Sequence, residues 1–213
     1  MIFKNREEAA HQLAEKLSAY RGKNPLVLGI PRGAVLMARI IADALEGELD
    51  IVLVHKIGAP ENPEFAIGSV TEIGTVYLNE AARDLPISPE YITERTRVET
   101  ENLHEKRLRY TPNRDPSDPV DRIVIIVDDG MATGSTMISA LRLMRLAKPA
   151  RLIAAAAVAP PETLRQVEQE ADETVCLETP EGFFAVGQFF AEFEQVTDEA
   201  VAAALREPEK KGR

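Results

Sequence analysis

IVIIVDDGMATGST, Ile123 to Thr136, sets an unbroken apolar run before two carboxylates, a loop of small residues and the start of a helix. Such a run is how a strand buried on both faces of a parallel sheet reads. Parallel strands deliver functional groups at their carboxyl ends, so Asp128 and Asp129 are expected in the crevice where a ligand binds. The loop that follows, Gly130, Met131, Ala132, Thr133, Gly134, Ser135 and Thr136, can turn backbone N–H groups toward one anion. The next helix adds the partial positive charge of its N-terminus, and Thr133, Ser135 and Thr136 add hydroxyl donors. A phosphate fits there.

Two acids beside a phosphate cradle conflict unless the ligand also offers hydroxyl donors or brings a cation. A ribose 5-phosphate resolves the conflict: Asp128 and Asp129 would accept from its 2- and 3-hydroxyls while the loop holds the phosphate, and Mg²⁺ would suit the negative field. The bland alternative is a strand-to-helix turn with solvated acids. A Walker B strand is a second alternative, but no G-x-x-x-x-G-K-[ST] accompanies it, which argues against a nucleoside triphosphatase. A receiver domain carries its acid pair on the first strand, whereas this pair comes past the middle of the chain.

Outward from this segment, strands and helices alternate. An amphipathic helix over Arg6 to Leu17 opens the chain, with Ala9, Ala10, Leu13 and Leu17 on one face. Pro25 to Ile30 reads as a strand, Ala34 to Leu45 as a helix and Asp50 to Lys56 as a second strand, together one βαβ unit. Gly58 to Glu80, rich in Gly, Pro and Asn, reads as a mobile loop with a short strand at Thr75 to Leu78. Ser88-Pro89 then starts a charged helix over Glu90 to Arg109, a solvated face long enough to cap the site or pack in a homodimer. Arg122 to Val127 is a strand. The helix after the small-residue loop should bury Met137, Ile138, Leu141 and Met144. Ala150 to Val158, Pro161 to Glu170 and Glu173 to Leu177 complete the alternation as strand, helix and strand. An α/β fold follows, with a mainly parallel sheet and helices on both faces in three layers.

With 213 residues, 45% of them hydrophobic and 28% charged, one domain over 1–206 is expected, and the tail 207–213 reads as disordered. Twenty-five basic against thirty-five acidic side chains give a net charge of −10, the wrong sign for a surface that attracts nucleic acid or anionic lipid. Any phosphate site must therefore be local. No apolar run approaches the roughly 20 residues of a membrane span, so no membrane partner is expected. The one cysteine, Cys176, reads as a buried structural thiol in a reducing, cytoplasmic setting. His11, His55 and His104 are scattered and make no zinc site.

Here the sequence resembles a family. Ile123 to Thr136, with its two acids and Thr133-Gly134-Ser135-Thr136, is similar to the ribose-phosphate signature of the type I phosphoribosyltransferases. Ile30 to Ala34, IPRGA, resembles their pyrophosphate loop, and Lys56 ends the second strand as in that family. Phe183 to Phe190 resembles the hood more weakly, with Phe184 placed to stack on a nucleobase. The likeness runs from about Leu26 to Phe193 and is closest to bacterial members whose acceptor is unassigned.

The resemblance implies a phosphoribosyltransferase-like fold with a six-stranded sheet of order 3-2-1-4-5-6, strand 3 antiparallel at Thr75 to Leu78, and a small hood from the C-terminal region. It implies an enzyme that moves ribose 5-phosphate between phosphoribosyl pyrophosphate and a nitrogenous base, with Mg²⁺ as cofactor. Arg32, Gly33, Ala34 and Lys56 would then neutralise the pyrophosphate. Asp128 and Asp129 would orient the ribose and hold the metal, through water or directly. The Pro- and Gly-rich segment after Lys56 would close over the site. One departure stands out: where purine-salvage members carry a carboxylate before T-G-x-T, this chain has Ala132. That leaves a second reading, a regulator of the same fold that senses phosphoribosyl pyrophosphate without turnover. Its basic residues from Arg95 to Arg109 are interspersed with acids, which favours the enzyme over a nucleic-acid regulator.

Overall fold

The chain folds, in order, as α1 (Arg6–Lys16), β1 (Leu26–Gly29), α2 (Gly33–Leu45), β2 (Glu48–Ile51), β3 (Val54–Ala59), β4 (Asn62–Thr71) and β5 (Val76–Leu78). Then follow α3 (Pro89–Tyr110), β6 (Ile123–Asp128), α4 (Ser135–Leu146), β7 (Arg151–Val158), α5 (Pro161–Glu168), β8 (Glu173–Glu178) and α6 (Asp198–Leu205). This computed structural model describes residues 2–79, 82, 85–112 and 114–206; the expected tail at 207–213 lies outside them.

β2, β1, β6, β7 and β8 form a parallel sheet in that order. Successive side chains of the central strands feed opposite faces. Ile125 and Val127 of β6 join the core under α1, α2 and α6, while Val124 and Ile126 join the core under α4 and α5. β7 divides likewise, Ile153 and Ala155 to one side, Leu152 and Ala154 to the other. The result is the expected three-layer arrangement, and its β1–β6 contact is where strand order reverses. The loops after these two strands therefore open beside each other.

The sheet has five strands, not six, and the order 3-2-1-4-5-6 is not met. The segment expected as strand 3 is β5, the edge of a separate antiparallel sheet β3-β4-β5. The run read as one strand, Asp50 to Lys56, divides into β2 and β3, and Gly58 to Thr71, read as a mobile loop, pairs as the β3–β4 hairpin. The cause lies at the β2 edge. Glu48 and Val52 donate their N–H groups toward β1, so the carbonyls of Leu49 and Ile51 face outward. Arg114 and Arg107 donate to these two carbonyls at 3.1 and 3.0 Å, covering the edge where a sixth strand would add.

α3 begins where Ser88 accepts the Tyr91 N–H at 3.1 Å, with Pro89 in the first turn. Its charge is not all solvated, contrary to expectation. Arg107 is 3% exposed and binds both Asp50, which is 1% exposed, and Glu72. Burial pushes the Asp50 carboxyl up, but the Arg107 guanidinium, the Ser117 amide and Arg114 outweigh it and hold the group below its ordinary range. Glu99 is buried too, beside Arg95 and His55. On α4 the buried face runs through Met137, Ala140, Leu141 and Leu143, with the expected Ile138 and Met144 only partly covered. Cys176 is half-buried, and burial pushes its thiol up to about 11, which keeps it protonated and unreactive. No described helix is long and apolar enough to cross a membrane.

Candidate active site

β6 ends on Asp128, and the chain turns at once, the Asp129 N–H donating to Asp128 Oδ1 at 2.9 Å. Burial, and then the charge of Asp129, push the Asp128 carboxyl well up; the Asp129 N–H and Arg6 oppose this without cancelling it. Asp128 thus resists ionisation.

Beyond it the Met131 side chain is 2% exposed in the core under α4, and its N–H is bonded to the Val158 carbonyl at 2.9 Å. Ala132 is exposed, its carbonyl accepting from Thr163 Oγ1 at 2.7 Å. Gly134 starts α4 at φ 68, a left-handed conformation that favours glycine. Thr133 and Ser135 lie with hydroxyls 3.0 Å apart, and Thr136 is exposed on the first turn. Small side chains, paired hydroxyls and a helix start therefore face solvent together, as an anion cradle requires.

The loop after β1 meets this turn. A Cβ added to Gly33 would run into Asp129 Oδ2 and stand 2.7 Å from Arg6 Nε, so the glycine lets these side chains lie directly against the loop. Sequence-distant Gly33 and Asp129 are in this way brought together. Ala34 is buried at the start of α2. Arg32 is exposed, its Nη1 3.9 Å from Asp198 Oδ1, and the Pro31–Arg32 peptide is cis.

Two expected residues stand apart from this junction. Lys56, on β3, lines a cavity of about 280 Å³ with Thr133, Ser135, Ser139 and Tyr77, on the phosphate-loop side and not beside Arg32. Phe184 is 93% exposed, while its neighbour Val186 packs on the acid turn, 2.5 Å from where a Gly130 Cβ would stand.

Arg6 was not legible as a site residue. Its Nε donates to Asp129 Oδ2 at 2.8 Å and its Nη1 to the Glu194 carbonyl at 2.7 Å, with the guanidinium 3.8 Å over the Phe193 ring. One signal existed: a cation in the first turn of a helix opposes the helix dipole and calls for a partner.

Among the described residues no group of three or more His, Cys, Asp and Glu is placed to hold a metal ion. Two adjacent carboxylates are hard oxygen donors of the kind Mg²⁺ takes when water and substrate oxygens complete its shell. The donor set fits such a shared site and no all-protein cage.

The chain is similar to known proteins along nearly its whole length. Proteins of two Mycobacterium tuberculosis strains, provisionally named as phosphoribosyl transferases, are 36% identical over 205 residues, 96% of this chain and 46% of theirs. The chain thus spans about half the length of the curated relatives it matches. The crystal structure of a Thermus thermophilus protein, TT1426, is 40% identical, with a TM-score of 0.88 over 96% of this chain and 98% of that one. The model of the phosphoribosyl transferase domain matches residues 1–190. With the acid turn and the Gly33 loop meeting inside that span, the chain belongs to the phosphoribosyl transferase domain family.

Proposed function

We propose that the protein transfers ribose 5-phosphate between phosphoribosyl pyrophosphate and a nitrogenous base, releasing pyrophosphate. The observation that carries this reading is the contact of Gly33 with Asp129, which joins the two loops that one doubly phosphorylated ribose would have to span. Thr133, Gly134, Ser135 and Thr136, with Gly130 and Ala132 shaping the turn, would hold the 5-phosphate. Met131 would anchor the loop through its buried side chain. Asp128 and Asp129 would accept from ribose hydroxyls. Arg32 and the amides of Gly33 and Ala34 would meet the pyrophosphate, whose charge develops as the C1–O bond breaks. Lys56 shares a cavity with Thr133 and Ser135, so we assign its charge to the phosphate end of the ligand and not to the pyrophosphate. Mg²⁺, when bound by the two acids and by ligand oxygens, would supply further positive charge for the departing group.

The acceptor would approach under the segment that carries Val186, and Ala132 offers it no proton-transfer group. That methyl sustains the second reading, a sensor that binds phosphoribosyl pyrophosphate and does not turn it over. Incubation with phosphoribosyl pyrophosphate, Mg²⁺ and a panel of purine and pyrimidine bases, with pyrophosphate measured, separates the two. Release with at least one base supports the enzyme. Tight binding with no release for any base decides for the sensor.

A further inference from the structure

One guanidinium touches three parts of this site. Arg6 binds the acid turn through Asp129 Oδ2 and the C-terminal hood through the Glu194 carbonyl and the Phe193 ring. It also lies against the β1–α2 loop, its Nη2 3.0 Å from where a Gly33 Cβ would stand. Its side chain is 14% exposed, and its root is fixed. Asn5 caps α1 by accepting the Glu8 N–H at 3.1 Å, and just before it Phe3 bridges Phe190, exchanging bonds of 2.7 and 2.8 Å with Phe189 and Ala191. Phe3, Phe190 and Phe193 pack in series, the first pair tilted and the second stacked, with ring centroids 5.4 and 5.0 Å apart. The arginine therefore cannot follow Asp129 to a new rotamer without disturbing the hood.

We propose that Arg6 is a positioning residue for the sugar: by holding Oδ2 of Asp129 it presents Oδ1 to a ribose hydroxyl, and it makes that orientation depend on the seated hood. This rests on the reading of Asp129 as a ribose ligand. A guanidinium suits the task because its planar fork bonds the carboxylate and the Glu194 carbonyl at once while its face lies on Phe193, which an ammonium cannot do. It also sets a positive charge directly against the acid pair, 2.8 Å from Asp129 Oδ2.

The test uses ribose 5-phosphate and inorganic phosphate as probes, titrated with Mg²⁺ into the full chain and into Arg6→Ala and Arg6→Lys. Arg6→Ala should weaken ribose 5-phosphate at least tenfold and leave inorganic phosphate within about twofold, because the Arg6 guanidinium bonds to Asp129 and the Glu194 carbonyl. Arg6→Lys should recover part of the loss. Equal weakening of both probes would mean a merely structural arginine and overturn the proposal, as would unchanged ribose 5-phosphate affinity. If thermal melting shows Arg6→Ala unfolded, Arg6→Lys alone decides: a selective loss of threefold or more supports the proposal and none contradicts it. Wild-type protein that binds inorganic phosphate but gains nothing from the ribose would overturn the sugar-site reading itself.

Discussion

Asp129 sits where the acid turn, the β1–α2 loop and α1 converge, and substitutions around it separate the proposed binding from folding. Asp129→Asn keeps the shape and removes the charged acceptor; a hydrogen bond to a charged group contributes roughly 1.5–3 kcal/mol, so affinity for phosphoribosyl pyrophosphate should fall about tenfold or more. Calorimetric titration reads this directly. Gly33→Ala puts a methyl where the Asp129 and Arg6 side chains now meet, and these movable atoms, not the backbone, must give way. We expect an unchanged fold by circular dichroism and a weakened ligand. Arg32→Ala should lower kcat more than it raises KM, since in the proposed reaction its charge would answer one that develops on the departing pyrophosphate. Asp128 carries a cost of its own: burial and Asp129 disfavour its ionised form, so Asp128→Asn should raise the ligand-free Tm at neutral pH while impairing binding. At this scale Asp128 to Thr136 stood out as candidates because they are contiguous. Arg6 did not, since its partner lies 123 positions away and nothing local marks the pair apart from the unfavourable charge at a helix start.

Among the elements, those with a clear period emerged within a residue or two of their expected ends. β6 from Ile123 to Val127 and β7 from Leu152 to Val158 are apolar because both faces of the sheet are covered, and α2 stops near Gly47 as its punctuation predicts. The β3–β4 hairpin was missed because Pro, Gly and Asn read locally as turn residues, while pairing with a neighbour is a tertiary fact. The same holds for α3, whose charges look solvated in sequence although Arg107 is buried. Replacing Arg107 with Met leaves the buried Asp50 and the partly buried Glu72 short of their main cation and uncovers the Ile51 carbonyl at the sheet edge. Removing one partner of a buried ion pair costs about 3–5 kcal/mol, which urea denaturation of Arg107→Met should show.

For the whole molecule, the Asp50 cluster ties the sheet edge to α3 and to the 114–117 segment, so its titration should register in global stability. The Asp50 carboxyl is held below its ordinary range in the folded protein. The stability it contributes is thus present above the unfolded value, near pH 4, and is lost as pH falls through the lower folded value. Wild-type protein should lose stability below about pH 4, and Asp50→Asn should show a flatter acid limb in urea titrations. A net charge of −10 does not conflict with a phosphorylated ligand, since backbone amides, a helix start and a few cations can make a local site in an acidic molecule. Titration of phosphoribosyl pyrophosphate with Mg²⁺ into wild-type protein and Asp129→Asn tests that site most directly. The account predicts saturable one-to-one binding that weakens at least tenfold in the variant; equal affinity in both proteins, or no binding to the wild type, would contradict it.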